Sequence, residues 1–207
     1  MGLFDSEARR ERRLQKLQDA SNAHAQEALL YWRTGSVDQA VQSNQKALDI
    51  IRGLRQEEPE SDQHLAQLAG KLYNHAGMLI QGRRFDEALV AARSCVSSYL
   101  ELTGGEVSRD AMMMDGLLSL AHSFRPVTTP RGGLAKLAGM TADAKCRLAT
   151  ALALSNAPGS AAKARRLGSE AVSAYETLVE LDAGYGADLV RIREQEAEIR
   201  RLVGGRS

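Results

Sequence analysis

The sequence predicts an all-α fold, a right-handed α-solenoid of about three helix hairpins, and three observations carry that expectation. One phrase occurs twice. Gly35-Ser36-Val37-Asp38-Gln39-Ala40 leads to Ala47-Leu48, and Arg84-Phe85-Asp86-Glu87-Ala88 leads to Cys95-Val96, so the small residues Ala40 and Ala47 recur 48 residues later as Ala88 and Cys95. Self-similarity at a fixed period in a helical chain marks stacked helix pairs. Apolar residues make up 43% of the 207 but aromatics only 4%, so a core must be built from Ala, Leu, Val and Met, which suits close helix packing. Finally, no run alternates β-branched and polar residues, and the prolines at 59, 126, 130 and 158 all fall where a helix would break anyway.

The elements follow in order. Asp5 or Ser6 can cap a first helix running to about Thr34, with little apolar face over Glu7 to Arg13 and a packing face from Leu14 onward. Gly35 ends it, and Ser36 or Val37 opens a second helix through Leu48, Ile51 and Leu54. Pro59 breaks that helix, because the residue before a proline is pushed out of the helical region. Ser61 or Asp62 caps a third helix whose stripe is Leu65, Leu68, Leu72, Ala76 and Leu79, ending at Gly82. A fourth runs from about Phe85 to Leu102 and stops at Thr103-Gly104-Gly105.

There the period breaks. Val107 to Phe124 reads as a Met-rich helix with Met112, Met113 and Met114, and 125–133 reads as a loop with two prolines. A long helix is expected from about Leu134 to Ser155, then a turn at Pro158-Gly159 and a helix capped by Ser160 that reaches Leu181. Gly184 and Gly186 break it before a last helix from about Ala187 to Val203. Ala164 and Ala171 repeat the seven-residue step of Ala40 and Ala47, and an insertion of 28 residues, the length of 106–133, restores the register. The whole of 1–207 is thus read as a single helical domain with an N-terminal helical extension. Its repeat units lie at about 22–57, 61–103 and 134–183, with an insertion at about 106–133 and a polar capping helix at about 187–203. The alternative keeps 106–124 as the third unit's first helix, and the sequence does not choose.

Charge and composition narrow the function classes. With 27 basic and 26 acidic residues the net charge is +1, which supplies no field that makes nucleic acid the main partner. The start Met1-Gly2-Leu3-Phe4-Asp5-Ser6 fits the loose myristoylation pattern and Arg9, Arg10, Arg12 and Arg13 follow, a two-part membrane anchor in principle. The plainer reading is a solvated helix end, and with no apolar leader or spanning stretch the expected location is cytoplasmic. Cys95 and Cys146 sit in helical patterns without paired spacing and read as buried thiols. The histidines at 24, 64, 75 and 122 make no metal-ligand spacing, and no phosphate loop, nucleophile elbow or carboxylate pair appears. The reading is therefore no enzyme, no cofactor and no metal site.

Ala28, Tyr31, Gly35, Ala40 and Ala47 in the first unit, and Ala76, Phe85, Ala88 and Cys95 in the second, resemble the tetratricopeptide repeat. That pattern puts a small residue in the first helix of a pair and two alanines seven apart in the second, and Ala164 and Ala171 carry a weaker third copy. Leu65-Ala66 and Leu72-Tyr73-Asn74-His75-Ala76, followed by Gly82-Arg83-Arg84-Phe85-Asp86-Glu87-Ala88, are similar to the longer-helix variety found in bacterial signalling proteins and kinesin light chains. The 48-residue period, the missing proline after the first unit's second helix and the Met-rich insertion depart from the pattern. The resemblance implies binding of an extended peptide or partner helix along a concave face lined by the first helix of each pair. Mapped by position, that face holds Asn22, Leu29, Trp32 and Arg33 in unit one and Tyr73, Asn74, Gly77 and Gln81 in unit two, with Lys145 and Arg147 near the equivalent of unit three. The carboxylate clamp of some members needs further Lys and Asn in unit one, which this chain lacks.

Two function classes follow. The first is a cytoplasmic, non-catalytic adaptor or scaffold that docks a protein or peptide partner in the groove. The alternative is a regulatory module acting at a membrane or nucleic acid through the Arg-rich N-terminal helix, or a self-associating structural protein, with homo-oligomers left open.

Overall fold

The computed structural model describes residues 2–105, 133–155 and 157–205, so the expected Met-rich helix and most of the loop after it lie outside the described residues. The described residues form α-helices and one short 3-10 turn, and none is in a strand. In order these are α1 (Gly2–Arg33), α2 (Val37–Glu57), α3 (Asp62–Gln81), α4 (Phe85–Leu102), α5 (Gly133–Leu154), α6 (Ser160–Leu181) and α7 (Gly186–Gly204), with the 3-10 turn Ala183–Tyr185 before α7. The chain divides into two compact units, Met1–Ala91 and Ala92–Ser207, and α4 spans the boundary.

In the first unit α2 shows how the sequence builds a helix face. Ala40, Asn44, Ala47, Leu48, Ile51 and Leu54 recur at three- and four-residue spacing and are all buried. Burying a side chain the size of Leu48 or Ile51 contributes roughly 1.5–3 kcal/mol. The small residues Ala28, Ala40, Ala47, Ala76 and Ala88 are wholly inaccessible to solvent, which lets neighbouring helices approach. Pairing proves α1 and α2 antiparallel: as position on α1 rises through Arg10, Arg13, Ser21 and His24, the partner falls through Glu58, Glu57, Ala47 and Ser43. The arginines of α1 thereby meet the C-terminal end of α2, where positive charge complements the helix dipole. Ser61 caps α3 by accepting from the His64 N–H at 3.3 Å.

The repeated phrase survives as a repeated set of backbone hydrogen bonds. After α1, Gly35 N donates to Trp32 O at 3.2 Å, Ser36 N to Tyr31 O at 2.9 Å and Ala40 N to Ser36 O at 3.0 Å. After α3, Arg83 N donates to Ile80 O at 3.1 Å, Arg84 N to Leu79 O at 2.9 Å and Ala88 N to Arg84 O at 2.9 Å, each 48 residues on. The turn needs one residue in the left-handed region, and Gly35 supplies it with φ of 82°. Arg83 takes the same place at φ of 58°, where its Cβ is strained and a glycine would not be.

The second unit repeats the plan with other residues. Tyr175 of α6 reaches Gly139 and Asp143 of α5, and Glu170, nearer the start of α6, reaches Lys145, so α5 and α6 are antiparallel. Its core is again small, with Ala142, Ala144, Ala149, Ala151, Ala164 and Ala171 all nearly or wholly inaccessible. α7 covers α6 with Ile192, Ile199 and Val203, and Glu196 passes over Gly168, where an added Cβ would sit 3.2 Å from the Glu196 Cγ. Two expected boundaries are corrected. Gly159, at φ of 72°, is the N-terminal flanking residue of α6 and not Ser160, which is already helical and donates to Ser155 O at 3.4 Å. Gly133, expected in the loop, is the first residue of α5.

Candidate functional site

The first and third helices of the first unit are tied by side chains at a constant offset. Lys71 Nζ donates to Asn22 Oδ1 at 3.1 Å, and Trp32 Nε1 donates to Gln81 Oε1, both pairs being 49 residues apart. A constant offset means that α1 and α3 run parallel in one register. Lys71 is only 7% exposed and burial lowers its pKa, so the neutral amide of Asn22 is a costly partner to lose. Asn44 Nδ2 donates to Lys71 O at 3.0 Å from the far side, which fixes α2 to the same rung.

Of the expected partner-binding residues, Asn22, Arg33 and Gln81 are exposed, while Trp32, Tyr73 and Asn74 are half-buried. At about 100° per residue, Asn74 lies on the same stripe of α3 as Gln81, and Tyr73 sits a further quarter turn round. Asn22, Leu29 and Arg33 likewise share one stripe of α1 by their seven- and four-residue steps. The hydrogen bonds thus bring Asn22, Trp32 and Gln81 together across α1 and α3, while helical spacing puts Arg33 on the stripe of Asn22, Asn74 on that of Gln81, and Tyr73 a quarter turn away. Lys145 and Arg147 belong to the second unit and are half-buried there. Lys145 Nζ pairs with Glu170 at 3.0 Å, an assignment to the α5–α6 seam that its position in the sequence did not reveal.

Three features escaped the sequence reading. Lys71 was not singled out in the sequence, and the 48-residue period applied to Asn22 leads to its neighbour Gly70, one residue short of it. Arg10 and Arg13 were read as a solvated end, whereas they close the α1–α2 hairpin. In the second unit, Arg191 Nη2 donates to Asp143 at 2.9 Å and to Asp188 at 3.0 Å, and Tyr175 donates to the same Asp143 oxygen at 3.1 Å. Arg191 also lies 6.0 Å from the Tyr175 ring centre. Asp143 and Arg191 are 48 residues apart, and Cys146 Sγ reaches Gln195 Oε1 across 49, so α5 and α7 are parallel as α1 and α3 are. Burial, and then the Asp143 charge, raise the Tyr175 hydroxyl well above its usual value, so it remains a hydrogen-bond donor.

The polar groups gathered across α1 and α3 are the amides of Asn22 and Gln81, the Lys71 ammonium and the Trp32 indole. Burial pushes the Cys95 and Cys146 thiols up to about 12, which leaves them without thiolate at neutral pH. Among the described residues no group of three or more His, Cys, Asp or Glu is placed to hold a metal ion. None of the described helices is long and apolar enough to cross a membrane. No protein-family model matches the chain, and no curated protein matches it. Among solved structures it is similar to BtubC (BKLC) from P. vanneervenii, with 18% identity and a TM-score of 0.36 over 89% of this chain and 65% of that one. A likeness that loose defines neither a shared fold nor a shared function.

Proposed function

We propose that this chain is a non-catalytic protein-interaction adaptor of tetratricopeptide-like build, which binds an extended peptide or a partner helix along the α1–α3 face. The observation that supports this reading most is the parallel pairing of α1 and α3 through Asn22–Lys71 and Trp32–Gln81. It holds two helices in fixed register while leaving amides, an indole and Arg33 at the surface. Amide side chains donate and accept at once, which suits a partner's backbone, and aromatic and arginine side chains are the usual anchors of protein interfaces. A register preset in the free protein also spares the entropy of ordering on binding. The cytoplasm is the compartment in which this reading places the adaptor.

The test is an affinity pull-down from the native host with the intact chain and the Tyr73→Ala/Asn74→Ala variant in parallel. Both positions are half-buried, so retained helicity and unfolding midpoint are checked first. The reading expects at least one protein held by the intact chain and lost from the folded variant. Identical capture by both would remove the α1–α3 face from the account.

A further inference from the structure

We propose that the groove framed by α4, α5 and α6 in the second unit docks an acidic protein segment that carries leucine-like side chains at helical spacing. The groove has a volume of about 510 Å³. Val96 and Leu100 of α4, Leu148 of α5 and Leu167 of α6 form its apolar floor. Cations stand on all three walls: Arg93 on α4, Lys145 on α5, and Lys163 and Arg166 one turn apart on α6. One carboxylate, Glu170, faces them, held by Lys145 at 3.0 Å and Arg166 at 3.5 Å. Four cations against one carboxylate leave a surplus of three charges here, in a chain whose net charge is +1. Arg93 and Lys163 are exposed and have no ion-pair partner among the described residues.

The lining itself selects the partner class. Single-stranded nucleic acid is held by phosphate contacts together with aromatic platforms for its bases, and no aromatic side chain lines this groove. A free anion would gain nothing from four aliphatic side chains. An amphipathic acidic helix uses both features, its leucines filling the floor and its carboxylates meeting Arg93, Lys163 and Arg166 at the rim. This site lies outside the α1–α3 face, and its chemistry is charge-led where that face is amide-led. It shares with the proposed function only the premise that the chain binds proteins.

Fluorescence anisotropy on the full chain tests it, with a labelled peptide of about 15 residues, roughly 22 Å as a helix, bearing Leu and Glu at three- and four-residue spacing. The expected result is binding that weakens by about tenfold or more in Arg93→Glu/Lys163→Glu and falls as salt rises from about 0.05 to 0.5 M. Peptides with Gln for Glu, or with Ser for Leu, are expected to bind at least about tenfold more weakly. Arg93→Ala/Lys163→Ala should show a smaller loss of the same sign, and Tyr73→Ala/Asn74→Ala should bind the peptide like the intact chain. Absence of binding, binding indifferent to the charge reversal, or tighter binding of an oligothymidine would each overturn the proposal. Concentration-dependent self-association abolished by the reversal would assign the groove to a second copy of the chain and overturn it too. Loss of peptide binding in the Tyr73→Ala/Asn74→Ala variant instead would place the contact on the α1–α3 face.

Discussion

Leucine in place of Ala40, or in place of Ala88 48 residues later, is expected to destabilise the chain by about 2–3 kcal/mol. Both alanines are wholly inaccessible, and each follows the same turn with its N–H bonded four residues back, to Ser36 and to Arg84. Leucine adds a branched side chain where helices touch, and a packed interior absorbs extra methyl groups only through off-rotamer side chains or backbone shifts. The repeat makes the prediction sharper than a general statement about cores, because the two sites should respond alike. Val90→Leu serves as the control, since Val90 is 64% exposed and its change should stay within about 0.5 kcal/mol. Urea unfolding of the three variants at one pH measures all of this. Unequal losses at positions 40 and 88 would mean that the recurring phrase does not mark recurring packing.

Acid should weaken the first unit through His75. The ring is buried on α3, its Nδ1 meets no hydrogen-bond partner among the described residues, and burial pulls its pKa down from 6.5 to about 4. Arg52 and Arg84 push the same way, while Glu87 and Asp49 oppose them more weakly. Above pH 6.5 the imidazole is neutral both folded and unfolded, so it contributes no pH dependence there. Between 6.5 and 4 the unfolded chain takes up a proton that the folded chain refuses, so stability drops as pH falls. Below about 4 the loss is complete, at roughly 3 kcal/mol. Carboxylates add their own acid sensitivity, so the informative quantity is the difference between the intact chain and His75→Leu. That difference should change across pH 6.5 to 4 and be flat above it. Parallel pH profiles for the two proteins would refute this account of His75.

Much of the frame was legible because helix ends are written locally. Pro59, Ser61, Gly82 and Gly104-Gly105 each act through their own backbone or cap, and α2, α3 and α4 begin and end within a few residues of where those signals put them. Gly159 shows the limit. A serine beside a glycine looks like the cap, but the left-handed glycine takes the flanking position and pushes Ser160 inside the helix. The candidate face was legible by position, since a stripe follows from seven- and four-residue steps. Its internal pairing was not, because Asn22–Lys71 and Trp32–Gln81 depend on the register of two helices separated by a third. The groove on α4, α5 and α6 was hidden for the same reason. Arg93, Lys145 and Lys163 are scattered in sequence, and only packing gathers them.

Photo-cross-linking from Arg33, replaced by a benzophenone amino acid, tests the central claim most directly. Arg33 is exposed on the α1–α3 face, and Val90, exposed on α4, serves as the comparison position. The account predicts a protein adduct from position 33, none from position 90, and loss of the first when Tyr73→Ala/Asn74→Ala is added. Equal adducts from both positions, or an adduct at 33 that survives the double substitution, would contradict it.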